Sequence, residues 1–197
     1  MRTERKGRVL WVMGLLTLLV FGVGGAWLVH QVQGRALWPV VLGEGPWWPQ
    51  VGAGIGAGLL LGRAAWALAA SPLVRPATMR YVGRIGPLVG RPADRLFISL
   101  CAGVGEELFF RGAVQFWAGV PATAVLFVAV HGYLDPRNWR LCIYGLALTA
   151  AMVLLGLWAD RAGLLGPMAA HAALDVVLLQ RMHRAWKQGA GGDQACG

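Results

Sequence analysis

Long apolar runs constrain the fold of this 197-residue chain more than any other feature. Five of the runs approach the ~20 residues that an α-helix needs to cross a bilayer. These five cover residues 9–29, 51–70, 96–120, 141–158 and 162–179, and a shorter sixth covers 122–130. The runs are solidly apolar, without the alternation of a barrel strand, and in lipid a helix satisfies all its own backbone hydrogen bonds. The sequence therefore predicts an all-α, polytopic membrane helical bundle with about six transmembrane helices.

The basic residues give the chain a net charge of +9, which could indicate nucleic-acid binding. They cluster, however, before, between and after the apolar runs. The clusters are Arg2, Arg5, Lys6 and Arg8; Arg75, Arg80, Arg84, Arg91 and Arg95; Arg137 and Arg140; and Arg181, Arg184 and Lys187. Every second connection is thus basic, as cytoplasmic loops are. We predict that both termini are cytoplasmic, and that the partner surface is a lipid bilayer and not nucleic acid.

One domain is expected for the chain. No repeat, linker or change of composition divides residues 1–188, so they are predicted to form a single integral membrane domain. The first apolar run is longer than the ~7–15 residues of a signal-peptide core, which favours a retained anchor. The glycine-rich residues 189–197 are predicted to form a flexible C-terminal tail.

Three ionisable residues interrupt the third apolar run, namely Glu106, Glu107 and Arg111. A charged side chain at mid-membrane costs roughly 2.5–3.5 kcal/mol, so each needs a partner or a function. Glu107 and Arg111 are four residues apart on one helical face, which favours an ion pair. Glu106 points about 100° away from Glu107. It is explained less well by a local salt bridge, which makes it a candidate catalytic base.

Two histidines supply further candidates in other apolar runs. His131 closes the short sixth run, and His171 lies four residues before Asp175, whose carboxylate can then fix the orientation of the imidazole. Taken alone, a histidine in such a position is more often a hydrogen-bonded structural residue than a catalyst. Together with Glu106 they provide what peptide hydrolysis needs: a carboxylate to take a proton from water, and imidazoles to hold that water or to stabilise an oxyanion.

The ordered set of these residues resembles the signature of the CAAX-protease and bacteriocin-processing family of intramembrane endopeptidases. That signature reads EExxxR, then FxxxH, then HxxxN or HxxxD, each on a different membrane helix. Here the three motifs occupy residues 106–111, 127–131 and 171–175, in the same order on successive apolar runs. The resemblance covers residues 95–179 and leaves the first two spans unassigned.

The resemblance implies catalytic and supporting roles for six residues. The implied catalytic residues are Glu106, His131, His171 and Asp175, and the implied supporting residues are Glu107 and Arg111. Glu106 would activate the attacking water with help from His131, while His171 and the residue at 175 would bind the oxyanion. Many family members have Asn where this chain has Asp175. An ionised Asp cannot donate a hydrogen bond to an oxyanion, so it can instead act through His171.

No cofactor is expected, because the resemblance implies a metal-free glutamate mechanism and the chain contains no HExxH motif. One carboxylate and two imidazoles are also the ligands of a catalytic zinc site. Zinc bound by Glu106, His131 and His171 is therefore the alternative.

The resemblance implies an endopeptidase that cuts a membrane-associated protein near a C-terminal anchor or a signal-like segment. The excess of Arg over Lys suggests a GC-rich bacterial genome, which favours the bacterial cell (inner) membrane and a multi-pass protein there. Bacterial relatives include bacteriocin-immunity proteins and the compact myxosortase branch, which sorts proteins by their C-terminal anchors. Two other classes stay open: a non-catalytic scaffold or immunity protein, and a proton-coupled carrier, which would also place acids and bases in its spans.

Overall fold

A computed structural model describes residues 2–193 of the chain, and every regular element in this range is a helix. We number eight helices, two of which contain π-helical turns. They are α1 (Arg2–Thr17, continued by Leu18–Val23, Gly24–Trp27 and Leu28–Val32), α2 (Leu37–Leu42), α3 (Trp47–Ala69), α4 (Arg75–Ile85), α5 (Pro92–Glu107, continued by Leu108–Val114), α6 (Gln115–Val130), α7 (Trp139–Ala162) and α8 (Leu165–Asp193). The predicted all-α class is confirmed. Residues 189–193 of the predicted flexible tail continue α8, and residues 194–197 lie outside the described range, where the flexible tail stays a prediction.

Four segments of the described chain are long and apolar enough to cross a membrane, against the six spans predicted. They are Gly7–Val32, Trp47–Ala69, Pro92–Val130 and Trp139–Ala162. Part of the difference lies in α8, where His171 and Asp175 lower the mean hydropathy of an otherwise apolar stretch. The rest lies in the third segment, whose 39 residues combine two of the predicted runs.

The third segment folds back on itself near Gly119. This glycine has φ 73° and ψ 169°, which is not helical, and Pro121 follows it. Phe110 and Phe127 are 17 residues apart and would be about 26 Å apart along a straight helix, yet their ring centroids are 5.0 Å apart. The two sides of Gly119 therefore form a helical hairpin. The short run 122–130 is a separate arm packed against other helices, while the number of crossings and the cytoplasmic termini stay predictions.

A stripe of glycines packs α3 closely against α8. Gly54, Gly58 and Gly62 are spaced four residues apart, so they lie on one face of α3. A Cβ atom at Gly58 would lie 2.8 Å from the Cβ of Ala173, and one at Gly62 would lie 2.8 Å from the Cβ of Val177. Small residues allow helix backbones to approach in a membrane. The second apolar run, which the motifs leave unassigned, thus positions the helix that carries His171.

Small residues also hold α5 between α1 and α8. A Cβ at Gly103 would lie 2.9 Å from the Cβ of Ala172 on α8. On the other side, a Cβ at Gly25 of α1 would lie 2.8 Å from the backbone of Phe109. Because Gly103 and Ala172 sit beside the acidic pair and His171 in sequence, this contact brings the first and third motifs together.

Candidate active site

The three motifs meet at a cavity of about 110 Å³ between α5, α6, α7 and α8. Its polar lining consists of Glu106, His131, Tyr133, His171 and Asp175. A water needs only about 10–15 Å³ of such space, so the cavity can hold several waters. The structure therefore brings together all four residues that the sequence marks as catalytic candidates.

Glu106 faces both histidines with one carboxylate oxygen. Its Oε2 lies 3.4 Å from Nε2 of His131 and 4.0 Å from Nε2 of His171. These contacts are longer than a good hydrogen bond, and Oε2 has no hydrogen-bond partner among the described residues. The Glu106 side chain keeps 13% of its surface exposed. The carboxylate thus lies near both imidazoles at the wall of the cavity, and its Oε2 is itself buried.

His131 is oriented by its own helix. Its Nδ1 lies 2.6 Å from the carbonyl oxygen of Phe127, one turn earlier in α6. A carbonyl oxygen only accepts, so Nδ1 must carry the proton and Nε2 is the nitrogen turned to Glu106. The FxxxH spacing therefore fixes the tautomer of His131 through a backbone hydrogen bond.

His171 is held by Glu107, which differs from the expectation that Asp175 fixes its ring. Nδ1 of His171 lies 2.9 Å from Oε1 of Glu107, whereas Asp175 approaches Nε2 at 3.7 Å. The close packing of α5 on α8 explains this contact between residues 64 positions apart in sequence. Glu107 thus keeps a proton on Nδ1, and Asp175 lies on the Nε2 side of the ring together with Glu106.

Arg111 pairs with Glu107, as the four-residue spacing predicts. The distance from Nη1 to Oε1 is 3.1 Å, and the side chains of Arg111 and Glu107 are 1% and 0% exposed. The guanidinium also lies 4.5 Å from the ring centroid of Phe127 and 2.9 Å from Sδ of Met152. Glu107 therefore joins Arg111 to His171 in a buried polar group behind the cavity.

The donor types at the cavity are those of a catalytic zinc site, so their geometry tests that alternative. Two ligands of a tetrahedral zinc ion are about 3.3 Å apart, whereas Glu106 Oε2 and His171 Nε2 are 4.0 Å apart. Within residues 2–193, no three His, Cys, Asp or Glu side chains are arranged to hold a metal ion. The described arrangement does not fit zinc, and metal-free hydrolysis stays a prediction for metal analysis.

Sequence reasoning overlooked polar residues at both ends of the site. Gln115 continues the series 107, 111 by one more turn, and its amide donates to Oδ1 of Asp160 at 2.6 Å. The four-residue spacing from Arg111 could have marked Gln115 as part of the same polar face. Tyr133 lines the cavity from the loop after α6, where no periodic pattern marks it. Burial and the nearby Asp175 carboxylate raise the pKa of Tyr133, which keeps its hydroxyl protonated.

Comparisons with known proteins cover the same segment of the chain. Residues 90–177 match the family described as type II CAAX prenyl endopeptidase Rce1-like. The uncharacterized protein YpbD of Bacillus subtilis (strain 168) is 37% identical over 84 residues, which are 42% of this chain and 42% of YpbD. The match thus spans less than half of that relative. No solved structure matches the chain. All three motifs lie within residues 90–177.

Proposed function

We propose that this chain, whose residues 90–177 belong to the Rce1-like type II CAAX prenyl endopeptidase family, is an intramembrane endopeptidase that uses a glutamate-activated water. The geometry of Glu106 carries the proposal. One of its carboxylate oxygens faces His131 at 3.4 Å and His171 at 4.0 Å across a cavity that has room for water. A general base needs this combination of access to water and nearby hydrogen-bonding groups.

In the proposed reaction a water lies between Glu106 and His131. Glu106 takes a proton from this water as its oxygen attacks the carbonyl carbon of the substrate, and His131 orients the water through Nε2. The tetrahedral intermediate carries its negative charge on the former carbonyl oxygen. When the intermediate collapses, Glu106 returns the proton to the departing amine. The carboxylate thus acts first as base and then as acid.

His171 and Asp175 are proposed to act on the opposite side of the reacting carbonyl. In its imidazolium form His171 donates through both nitrogens, Nδ1 to Glu107 and Nε2 toward the oxyanion. Asp175, which only accepts hydrogen bonds when ionised, orients the ring from the Nε2 side. Glu107 and Arg111 position His171 and the helix that carries Glu106, and they are not proposed to touch the substrate.

The proposed substrate is a membrane-associated protein, cut near a C-terminal anchor or a signal-like segment. The setting of the cavity supports this class. Three of its four helices, α5, α6 and α7, belong to segments that are long and apolar enough to cross a membrane, so a substrate segment reaches the cavity most directly from the bilayer. The proposed location is a bacterial cell (inner) membrane, supported by the similarity to a Bacillus subtilis protein.

The test compares membrane proteomes of three strains, carrying the wild-type protein, no protein, or the Glu106→Gln variant. Labelling of new N-termini should reveal a cleavage product that only the wild-type strain contains. Glu44→Gln is the matched control, because Glu44 is an exposed acid outside the site, and it should cleave like the wild type. The Gln variant should accumulate to wild-type levels in the membrane.

Cleavage by the Glu106→Gln variant at the wild-type rate would overturn the assigned base. The non-catalytic alternative predicts a different pattern. A scaffold or immunity protein would capture the same partner after His131→Ala and His171→Ala, and no new N-terminus would depend on Glu106. A carrier would instead show substrate flux in proteoliposomes.

A further inference from the structure

The turn that ends α6 directs Tyr133 toward the cavity. Gly132 has φ 77°, its N–H donates to the carbonyl of Ala129 at 2.9 Å, and the N–H of Tyr133 donates to the carbonyl of Val128 at 3.2 Å. This pair of hydrogen bonds is a Schellman motif, in which the residue after the glycine folds back onto the last helical turn. Tyr133 and Val128 both line the cavity. Tyr133 is thus placed beside His131 by the local cap.

Neighbouring helices hold this turn in place. The hydroxyl of Tyr81 on α4 donates to the carbonyl of Gly132 at 3.3 Å. The carbonyl of Tyr133 lies so close to Gly145 of α7 that a Cβ there would overlap it. The Tyr133 ring packs between those of Tyr81 and Tyr144, at centroid distances of 5.3 and 5.5 Å. A side chain fixed from two helices loses little entropy when it meets a substrate.

The proposed reaction needs more hydrogen-bond donors to the oxyanion than the three motifs supply. Glu106 and Asp175 only accept hydrogen bonds when ionised, and His171 commits Nδ1 to Glu107. That leaves a single imidazole N–H for an oxyanion, whereas such sites commonly present two or more donors. Among the described residues, the hydroxyl of Tyr133 forms no hydrogen bond, in contrast to that of Tyr81.

We propose that Tyr133 is a further catalytic residue, whose phenol O–H donates a hydrogen bond to the carbonyl oxygen of the scissile peptide as that oxygen becomes the oxyanion. This inference rests on the proposed function. No proton leaves the phenol: the water proton goes to Glu106, the new bond joins the water oxygen to the carbonyl carbon, and the C=O electron pair moves to the oxygen that Tyr133 faces. An Asp at position 175 makes such a neutral donor necessary, because a carboxylate there repels the developing charge.

The experiment compares Tyr133→Phe with Tyr144→Phe on a quenched fluorescent peptide that spans the bond identified by the three-strain comparison. Both variants keep their aromatic rings, and Tyr144 is a buried member of the same aromatic cluster that does not line the cavity. Removing one oxyanion donor costs ~10²–10³ in kcat. We expect that loss for Tyr133→Phe with KM changed by less than about twofold, and kcat within about twofold of wild type for Tyr144→Phe.

A second measurement covers the case in which Tyr133→Phe folds less efficiently. A phosphonate analogue of the same peptide mimics the tetrahedral anion, and its inhibition constant does not depend on the fraction of enzyme that is folded. It should bind Tyr133→Phe more weakly by roughly the factor lost in kcat/KM. Unchanged phosphonate binding, or equal kcat in both Phe variants, would show that Tyr133 only packs. Those results would leave the function of Glu106 intact, whereas absence of any Glu106-dependent cleavage would overturn both proposals.

Discussion

Replacement of Glu107 by Ala should destabilise the protein strongly, because Glu107 serves two buried partners. Its Oε1 lies 3.1 Å from Nη1 of Arg111 and 2.9 Å from Nδ1 of His171. The Arg111 side chain is 1% exposed, so water cannot replace the lost carboxylate. The Ala variant would therefore keep an uncompensated guanidinium and an unpaired imidazole N–H in the bundle interior.

The size of the effect follows from these two losses. Breaking a buried ion pair by removing one partner costs about 3–5 kcal/mol, most of it from the charge left behind. For a chain of this length 1 kcal/mol moves Tm by ~2–4 °C. Glu107→Ala should thus lower Tm by roughly 6–20 °C. Glu107→Gln should lower it less, because the amide oxygen can still accept from His171.

Thermal unfolding in detergent micelles, followed by circular dichroism, measures these changes. The informative control is the double variant Glu107→Ala/Arg111→Met, which removes the orphaned charge and leaves a side chain of similar length near Met152. It should melt higher than Glu107→Ala alone, because the two changes are coupled through one contact. Glu44→Ala, at an exposed acid, should stay within about 0.5 kcal/mol of wild type. A wild-type Tm for Glu107→Ala, or a double variant that melts as low as the summed single effects, would refute the assignment of Glu107 to a structural pair.

Two further predictions test the helix packing and the chemistry. Gly58→Leu should push α3 away from α8 and lower both Tm and cleavage, since a Cβ at Gly58 would already lie 2.8 Å from that of Ala173. Gly56→Leu, on the open face of the same helix, should leave both Tm and cleavage unchanged. Equal effects of the two substitutions would contradict the packing role of the glycine stripe. Chelator-washed protein should retain cleavage and contain no stoichiometric zinc by metal analysis, and stoichiometric zinc whose removal abolishes cleavage would favour the metal alternative.

The fold class could be predicted from the sequence, but the directions of the helices and their packing partners could not. Solid apolar runs make helices obligatory in lipid, so the all-α bundle followed from hydropathy alone. The break at residue 121, between the apolar runs 96–120 and 122–130, was predicted, but the return of the second arm against the first was not. Hydropathy records how apolar a segment is and carries no information on its direction. The spacing of Gly54, Gly58 and Gly62 indicates that one face of α3 packs closely against another helix. It does not indicate that this helix is α8.

At the site, spacing predicted the contacts within a helix and missed those between helices. The pairing of Glu107 with Arg111 follows from one turn of helix, and the structure has it at 3.1 Å. The same reasoning assigned the His171 ring to Asp175, its neighbour in sequence. The helix contact at Gly103 brings Glu107 closer instead. A distance between residues from different helices depends on packing, which one-dimensional periodicity does not contain.

Adjacency of two glutamates on one helix produces two chemical environments, and this division suits catalysis inside a bilayer. Successive residues point about 100° apart, so Glu107 faces Arg111 and is fully buried, while Glu106 faces the cavity and keeps 13% of its side chain exposed. The Glu107–Arg111 pair is neutral as a whole and need not change its charge during the reaction. In the proposed reaction only Glu106 has to gain and lose a proton, which confines the costly change of charge to the one glutamate of the two that lines the cavity.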